Sequence, residues 1–98
     1  MNLEELTAKL GAKASAASPL GKSVKFDFGE NGKIYVDGYN GNAISNEDKE
    51  ADCTIGVTID DFIGLIKGDL NPMNAFFAGK LRIDGEMGVA MQLQSLLS

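Results

Sequence analysis

The 98-residue chain contains no histidine, no tryptophan, one cysteine and two prolines. The absence of histidine excludes a Ser-His-Asp triad, a Cys-His pair and every histidine-based metal site. The lone cysteine, Cys53, excludes an internal disulfide and is consistent with a reducing compartment. Cys53 falls in mid-strand on the apolar side of a predicted strand, which is typical of a buried, unreactive thiol.

Positive charge is also scarce. Nine Lys and Arg residues against 14 Asp and Glu residues give a net charge of −5. Nucleic-acid binding needs clustered basic residues that neutralise phosphates, so this balance argues against a nucleic-acid partner. It equally disfavours electrostatic docking to an anionic membrane surface.

Long apolar runs are missing. None approaches the roughly 18 residues of a membrane-spanning helix, and charged residues interrupt the N-terminal segment, where a secretory signal peptide would be apolar. The C-terminal "SLLS" is not a peroxisomal address either. We therefore expect a cytoplasmic location for this chain.

What the sequence does contain is clear periodicity. Asn2 and Glu5 resemble an N-cap and its capping-box partner, and Leu3, Leu6 and Leu10 then share one helical face. Apolar residues next alternate with period two in four segments, which predicts strands at 24–28, 34–36, 43–44 and 53–57. The segments "GENG" and "DGYNGN" predict turns between the first three of these strands. Leu81 and Ile83 mark a fifth strand. Because strands lead and helices cluster late, we predict a single α+β domain over residues 1–98, with helices on one face of the sheet.

Three helices are predicted after position 57. The first starts at the N-cap Thr58, the second at Asn71-Pro72, and the last near Glu86. The last helix is apolar over more than half its circumference, whereas a surface helix needs only one apolar stripe. We expect it to be buried on two sides, to cover a cavity or to bind a partner.

Two segments partly resemble a phosphate-binding loop and a calcium-binding loop, but each lacks required residues. "GENGK" lacks the first Gly and the final Ser or Thr of a phosphate-binding loop, and "DGYNGN" lacks the later ligands of a calcium loop. Helix capping explains Asp60 with Asp61, and Asp84 with Glu86, better than acid–base catalysis does. We predict no catalytic residue, no metal and no cofactor, which leaves an enzyme as the least supported function.

The segment "GDLNPMNAFFAGKLRIDGEMGVAMQL" resembles the signature region of the sterol carrier protein 2 family. The matching elements are Asn71-Pro72, Ala75-Phe76-Phe77, Gly79-Lys80-Leu81, and the Met-Gly-x-Ala-Met-x-Leu pattern of the last helix. The resemblance implies a five-stranded mixed sheet covered on one face by helices, with an apolar tunnel between the layers. It also implies a non-catalytic carrier of fatty acids, fatty acyl-CoA, sterols or similar lipids.

By the same resemblance, apolar side chains of the last three helices form the tunnel wall, and two strand residues form its floor. These candidate ligand-binding residues are Phe26, Ile55, Phe62, Ile66, Met73, Phe76, Phe77, Met87, Met91 and Leu97. The alternative is a protein-interaction or dimerisation module that uses the Met/Phe-rich C-terminal surface, accessory to a lipid-metabolising enzyme. A second copy of the chain, and transient contact with a membrane, stay open as further partners.

The tunnel carries an energetic constraint. An unfilled pocket of roughly 300 Å³ costs about 7 kcal/mol, at about 24 cal/mol per Å³. Total stability is only about 5–15 kcal/mol. We therefore expect such a tunnel to be occupied, partly collapsed or flexible.

Overall fold

The computed structural model describes residues 2–97, and of residues 93–95 only the backbone. Helix α1 (Leu3–Ala16) precedes strands β1 (Ser23–Asp27), β2 (Lys33–Asp37), β3 (Ala43–Ser45) and β4 (Cys53–Gly56). Helices α2 (Ile59–Lys67) and α3 (Pro72–Phe77) follow, then strand β5 (Arg82–Gly85) and helix α4 (Met87–Leu97). The predicted element order is confirmed, with boundaries shifted by one or two residues.

Side-chain caps start three of the helices where the sequence predicts them. Asn2 and Thr58 each accept a hydrogen bond from the backbone N–H three residues on, at 2.8 and 3.1 Å. Asn71 accepts one from the N–H of Met73 at 2.9 Å. At the other end of α2, Gly68 adopts the left-handed conformation with φ of 81°. Each cap contributes about 1 kcal/mol to the stability of its helix. Because a cap needs only residues close in sequence, the local sequence determines these helix boundaries.

The five strands form one mixed sheet in the order β3-β2-β1-β4-β5. The central pair β1–β4 is parallel and the other three pairs are antiparallel. The connection from β3 to β4 crosses the outer face of the sheet, where the Tyr35 hydroxyl donates to the Glu50 carbonyl at 3.2 Å. Lys25 Nζ bonds Asp48 Oδ1 of the same connection at 2.8 Å. This crossing explains why Tyr35 is buried although it faces away from the helices.

The core lies on the other face, between the sheet and the helices. The Phe62 ring on α2 is fully buried, with its centroid 4.9 Å from that of Phe26 and 5.1 Å from that of Phe28. Leu6 and Leu10 of α1 are fully buried in the same cluster. The other buried members from the strands and from α2 are Val24, Ile34, Val36, Cys53, Ile55, Leu65 and Ile66.

Two details differ from the sequence prediction. Cys53 is the first residue of β4 rather than a mid-strand residue, although its side chain is buried as expected, and burial raises the pKa of its thiol. The predicted turns at "GENG" and "DGYNGN" contain short 3-10 helical turns at Gly29–Asn31 and Gly38–Asn40. None of the helices within residues 2–97 combines the length and apolar character that a bilayer crossing requires.

Candidate functional site

An apolar cavity of about 100 Å³ lies between the inner face of the sheet and helices α2, α3 and α4. All of its described lining residues have apolar side chains, contributed by three strands, three helices and the residue before β5. They are Phe26, Ile55, Leu65, Pro72, Met73, Phe76, Leu81, Ile83, Met87, Ala90, Met91 and Leu97. The described side chains around this cavity are suited to apolar groups and offer no polar atom for directional recognition.

Sheet register builds the floor of the cavity. Phe26 on β1 is paired with Ile55 on β4, and Ile55 is paired with Ile83 on β5. Because residues in register point to the same face of a sheet, the three side chains form one apolar row under the helices. The period-two pattern of each strand therefore determines the floor.

Helical spacing builds the walls. On α3, Met73 and Phe76 lie three positions apart, and on α4 Met87, Ala90 and Met91 follow the i, i+3, i+4 rule, so each set shares a face. Neither helix carries a charged residue in its sequence. These two helices therefore present uninterrupted apolar surface to the cavity.

The turn from β5 into α4 places the α4 wall. Gly85 has φ of 119°, and a Cβ built there would lie 2.3 Å from the Asp52 carbonyl oxygen, which only glycine avoids. That same carbonyl accepts a hydrogen bond from the Glu86 N–H at 3.0 Å. The start of α4 is thus attached to the residue preceding β4, which positions Met87 beside the cavity.

Three methionines form the rim of this cavity. Met73, Met87 and Met91 all line it, yet their exposed fractions are 40%, 49% and 64%. The cavity therefore reaches the surface between α3 and α4. We call these three residues the methionine rim. Unbranched thioether side chains adapt readily to different shapes, so this rim is the most deformable part of the wall.

The structure brings seven of the ten predicted site residues to the cavity. Phe26, Ile55, Met73, Phe76, Met87, Met91 and Leu97 are among its described lining residues. The other three are not. Phe62 packs in the aromatic core, Ile66 is buried on α2, and Phe77 is 76% exposed with its ring centroid 5.6 Å from that of Phe76. Contact with a ligand stays a prediction for all ten.

Five lining residues were not among the predicted ones: Leu65, Pro72, Leu81, Ile83 and Ala90. Ile83 could have been found, because its alternation with Arg82 places it on one face of β5. Leu65 could not, because its neighbour Ile66 is equally apolar and differs only by about 100° of helix rotation. Side-chain type alone does not say which of them faces the cavity.

The volume of the cavity sets how much it lowers the stability of the folded protein. At about 24 cal/mol per Å³, 100 Å³ costs about 2.4 kcal/mol when nothing fills it. That is a small part of a stability of about 5–15 kcal/mol, whereas an unfilled pocket of about 300 Å³ would cost about 7 kcal/mol. A continuous tunnel of lipid size stays a prediction.

Polar groups gather at the sheet end near α4 rather than in the cavity. Asp52 Oδ2 accepts hydrogen bonds from the Tyr39 hydroxyl and from the Ser23 N–H, the latter at 2.9 Å. The bond from Tyr39 lowers the pKa of Asp52 and raises that of Tyr39 to about 12. Within the described residues, no group of three His, Cys, Asp or Glu side chains could hold a metal ion. This cluster is best understood as a structural connection between strand ends.

An α+β fold with helices on one face of a five-stranded mixed sheet, and an all-apolar cavity between the layers, defines a domain suited to apolar ligands. Comparison with known families agrees. The model of the SCP-2 sterol transfer family matches residues 3–98. The chain therefore belongs to this family, whose domain binds and transfers lipids.

Individual relatives match the chain over about half its length. Sterol carrier protein 2 of Homo sapiens is 54% identical over 56 residues, which are 57% of this chain and 10% of the human protein. Hydroxysteroid dehydrogenase-like protein 2 of Homo sapiens is 41% identical over 49 residues, or 50% of this chain and 12% of that protein. The matched segment is thus about a tenth of these relatives' length.

Solved structures share the fold. Sterol Carrier Protein-2 from Aedes aegypti, in complex with the C16 fatty acid palmitate, superposes with a TM-score of 0.78 and 19% identity. The comparison covers 100% of this chain and 97% of that one. At this identity the likeness establishes the five-stranded architecture for the present chain.

Proposed function

We propose that the protein binds an apolar lipid, such as a fatty acid, fatty acyl-CoA or sterol, in the cavity and carries it without altering it chemically. The single observation that supports this proposal most is the all-apolar cavity that reaches the surface at the methionine rim. The palmitate complex of the Aedes aegypti relative favours an acyl chain as ligand.

Binding requires the cavity to widen. Ligand pockets are usually about 300–1,000 Å³, well above the 100 Å³ between sheet and helices here. The floor of β1, β4 and β5 is hydrogen-bonded and rigid, whereas α3 and α4 contribute the flexible methionines. We infer that the ligand enters between α3 and α4, displacing the methionine rim while the sheet stays in place.

The energetics suit a carrier. Burial of ten methylene groups contributes about 8 kcal/mol, before the costs of association and chain ordering are subtracted. The net value corresponds to affinities in the micromolar range or weaker, which permit both loading and release. Because apolar burial is not directional, chains of different length and saturation fit the same wall.

A cytoplasmic location is part of this proposal. The thiol of Cys53 is free and buried, and a reducing compartment keeps such a thiol unmodified. A carrier there would exchange lipid with membranes or with lipid-metabolising enzymes.

Native mass spectrometry and thermal melting test the proposal together. We expect gently purified protein to retain lipid, and the delipidated protein to melt at higher temperature with palmitate or hexadecanol. Ligand at about 100 times its dissociation constant adds about 2.7 kcal/mol, which amounts to several degrees for a chain of this size. Failure of both measurements across fatty acids, fatty alcohols and sterols would remove the basis of the proposal.

A second candidate function is a protein-interaction or dimerisation surface. Phe77 is 76% exposed beside the methionine rim, and clustered exposed apolar side chains often mark association sites. Sedimentation velocity of the chain and of a Phe77→Ser variant discriminates. Concentration-dependent association that the substitution abolishes favours this function, and a strictly monomeric protein at high concentration speaks against self-association.

A further inference from the structure

The methionines of this chain are concentrated at one place in the fold. The sequence has four, of which Met1 lies outside the described residues. The other three are Met73 on α3 and Met87 and Met91 on α4, and all of them line the apolar cavity. The methionine rim therefore contains every thioether group that the structure describes.

The methionine rim is accessible to small solutes. Its three residues are exposed, whereas Phe26, Ile55 and Leu97 of the same cavity are buried. A dissolved peroxide can thus reach the rim without unfolding the protein. It oxidises a thioether to a sulfoxide: the sulfur lone pair forms an S–O bond and the peroxide O–O bond breaks. The departing hydroxide takes the proton of the transferred hydroxyl group and leaves as water.

Cys53, the remaining sulfur-containing residue, is protected from the same reaction. Its side chain is fully buried in the core. Burial also raises the pKa of its thiol, which keeps the reactive thiolate scarce. The chain has no histidine and no tryptophan that would compete for an oxidant. We therefore expect a mild oxidant to act on the methionine rim first.

Oxidation would change the chemistry of the cavity wall. A sulfoxide is polar, and its oxygen needs a hydrogen-bond donor. The described lining residues all have apolar side chains, so none of these side chains can donate one. Water is the available donor, and holding the sulfoxide against a lipid chain away from water would cost free energy. An oxidised rim therefore turns toward solvent and no longer covers a bound lipid.

We propose that the methionine rim is an oxidation site that controls lipid retention. Conversion of Met73, Met87 and Met91 to sulfoxides by a peroxide weakens lipid binding, and enzymatic reduction of the sulfoxides restores it. This inference rests on the proposed function and adds a means of regulation to the same site. The cavity floor lies on the sheet, outside the rim, so oxidation lowers the affinity for lipid and leaves the fold in place.

Peroxide treatment of the delipidated protein provides the test. Displacement of a fluorescent fatty-acid probe by palmitate is measured before and after treatment, and peptide mass spectrometry locates the added oxygen atoms. We expect oxygen on Met73, Met87 and Met91, and palmitate binding weaker by about tenfold or more, because the wall loses apolar contact with the chain. Methionine sulfoxide reductases for both sulfoxide epimers should restore binding. Circular dichroism should stay native throughout.

A Met73→Leu/Met87→Leu/Met91→Leu variant is the matched control. Leucine has a similar volume and no oxidisable sulfur, and the variant keeps Met1 and Cys53. Each protein is compared with its own affinity before treatment, so the two starting affinities need not be equal. We expect peroxide to change palmitate binding of the variant by less than about twofold. An equal loss in both proteins would place the sensitive residue elsewhere and overturn the proposal.

The reductase measurement uses only the wild type, so it tests the proposal even where the leucine variant does not fold. Unchanged palmitate binding with all three methionines oxidised overturns the regulatory role and leaves lipid carriage intact. Absence of oxygen from the rim after treatment, or loss of the native circular dichroism, overturns it as well. Failure of the untreated wild type to bind any lipid refutes the carrier function, and this inference with it.

Discussion

Ile55 of β4 lies directly opposite Ile83 of β5, and both side chains line the cavity. Because the two residues belong to a hydrogen-bonded antiparallel pair, they move little relative to each other. The pair therefore forms a fixed part of the cavity floor under α4. Bulk added here would fill part of the cavity.

We predict that Ile83→Phe reduces lipid binding at least about tenfold, because the larger ring fills the floor of the site. Free space beside Ile83 limits the change in the free energy of unfolding to less than about 1.5 kcal/mol. Probe displacement and urea unfolding measure the two effects. Asp84→Asn, at the next residue and on the opposite face, is the control and should leave both unchanged. Full binding by Ile83→Phe would show that the ligand lies elsewhere.

Replacing Phe62 and Phe77 by alanine compares a core position with a surface position. Phe62 is fully buried between Phe26 and Phe28, so Phe62→Ala should lower the free energy of unfolding by about 3–5 kcal/mol. Phe77 is 76% exposed, and Phe77→Ala should change the free energy of unfolding by no more than about 0.5 kcal/mol. Urea denaturation of the two variants and the wild type measures both changes. A large loss for Phe77→Ala would contradict its surface position.

Gly85 and Gly88 offer a second matched pair, at the start of α4. Gly85→Ala should destabilise strongly, because its φ is 119° and the new Cβ would lie 2.3 Å from the Asp52 carbonyl oxygen. Gly88→Ala should stabilise by up to about 1 kcal/mol, since it lies within α4 and the added Cβ would meet no described atom within 4 Å beyond its chain neighbours and the adjacent backbone of its own helix. Thermal melting should thus move in opposite directions. Equal shifts would refute the assigned turn into α4.

Tyr39 and Asp52 make stability depend on pH at the alkaline end. The hydrogen bond to Asp52 raises the pKa of Tyr39 to about 12, against about 10 in an unfolded chain. Folding favours the protonated phenol, so this contribution is fully present below about pH 10 and is lost as the pH rises through 12. Asp52 has a lowered pKa, so its contribution is present above about pH 4 and is lost as the pH falls through the folded-state value.

Two variants check this coupling. Asp52→Asn should return the pKa of Tyr39 towards its ordinary value, measured by the ultraviolet absorbance of the phenolate. Tyr39→Phe should reduce the loss of stability between about pH 10 and pH 12, measured by urea midpoints. An unchanged Tyr39 titration in Asp52→Asn would exclude the carboxylate as the cause.

Local patterns predicted the elements well because their causes are local. A cap at Asn2, Thr58 or Asn71 needs only a side chain and the N–H groups that follow it, and each was found as predicted. Alternation likewise predicted the strands, including the short β3. The family resemblance added that these five strands form one mixed sheet covered by helices on one face.

Membership of the site was harder to predict, because it depends on how helices are rotated against the sheet. On α2, Phe62, Leu65 and Ile66 are all apolar and buried, yet only Leu65 is among the described residues that line the cavity. On α3, Phe76 lines it while its neighbour Phe77 points to solvent. Contacts with elements distant in sequence determine these rotations.

The sequence by itself determined the helix starts, the alternating strands and the glycines at turns. Tertiary structure alone decided the rest: the register that aligns Phe26, Ile55 and Ile83, the volume of the cavity, and the exposure of the methionine rim. The physical reason is the distance along the sequence over which each interaction acts. Capping and periodicity act within one or two turns of chain, whereas a cavity is the space left when strands and helices far apart in sequence pack together.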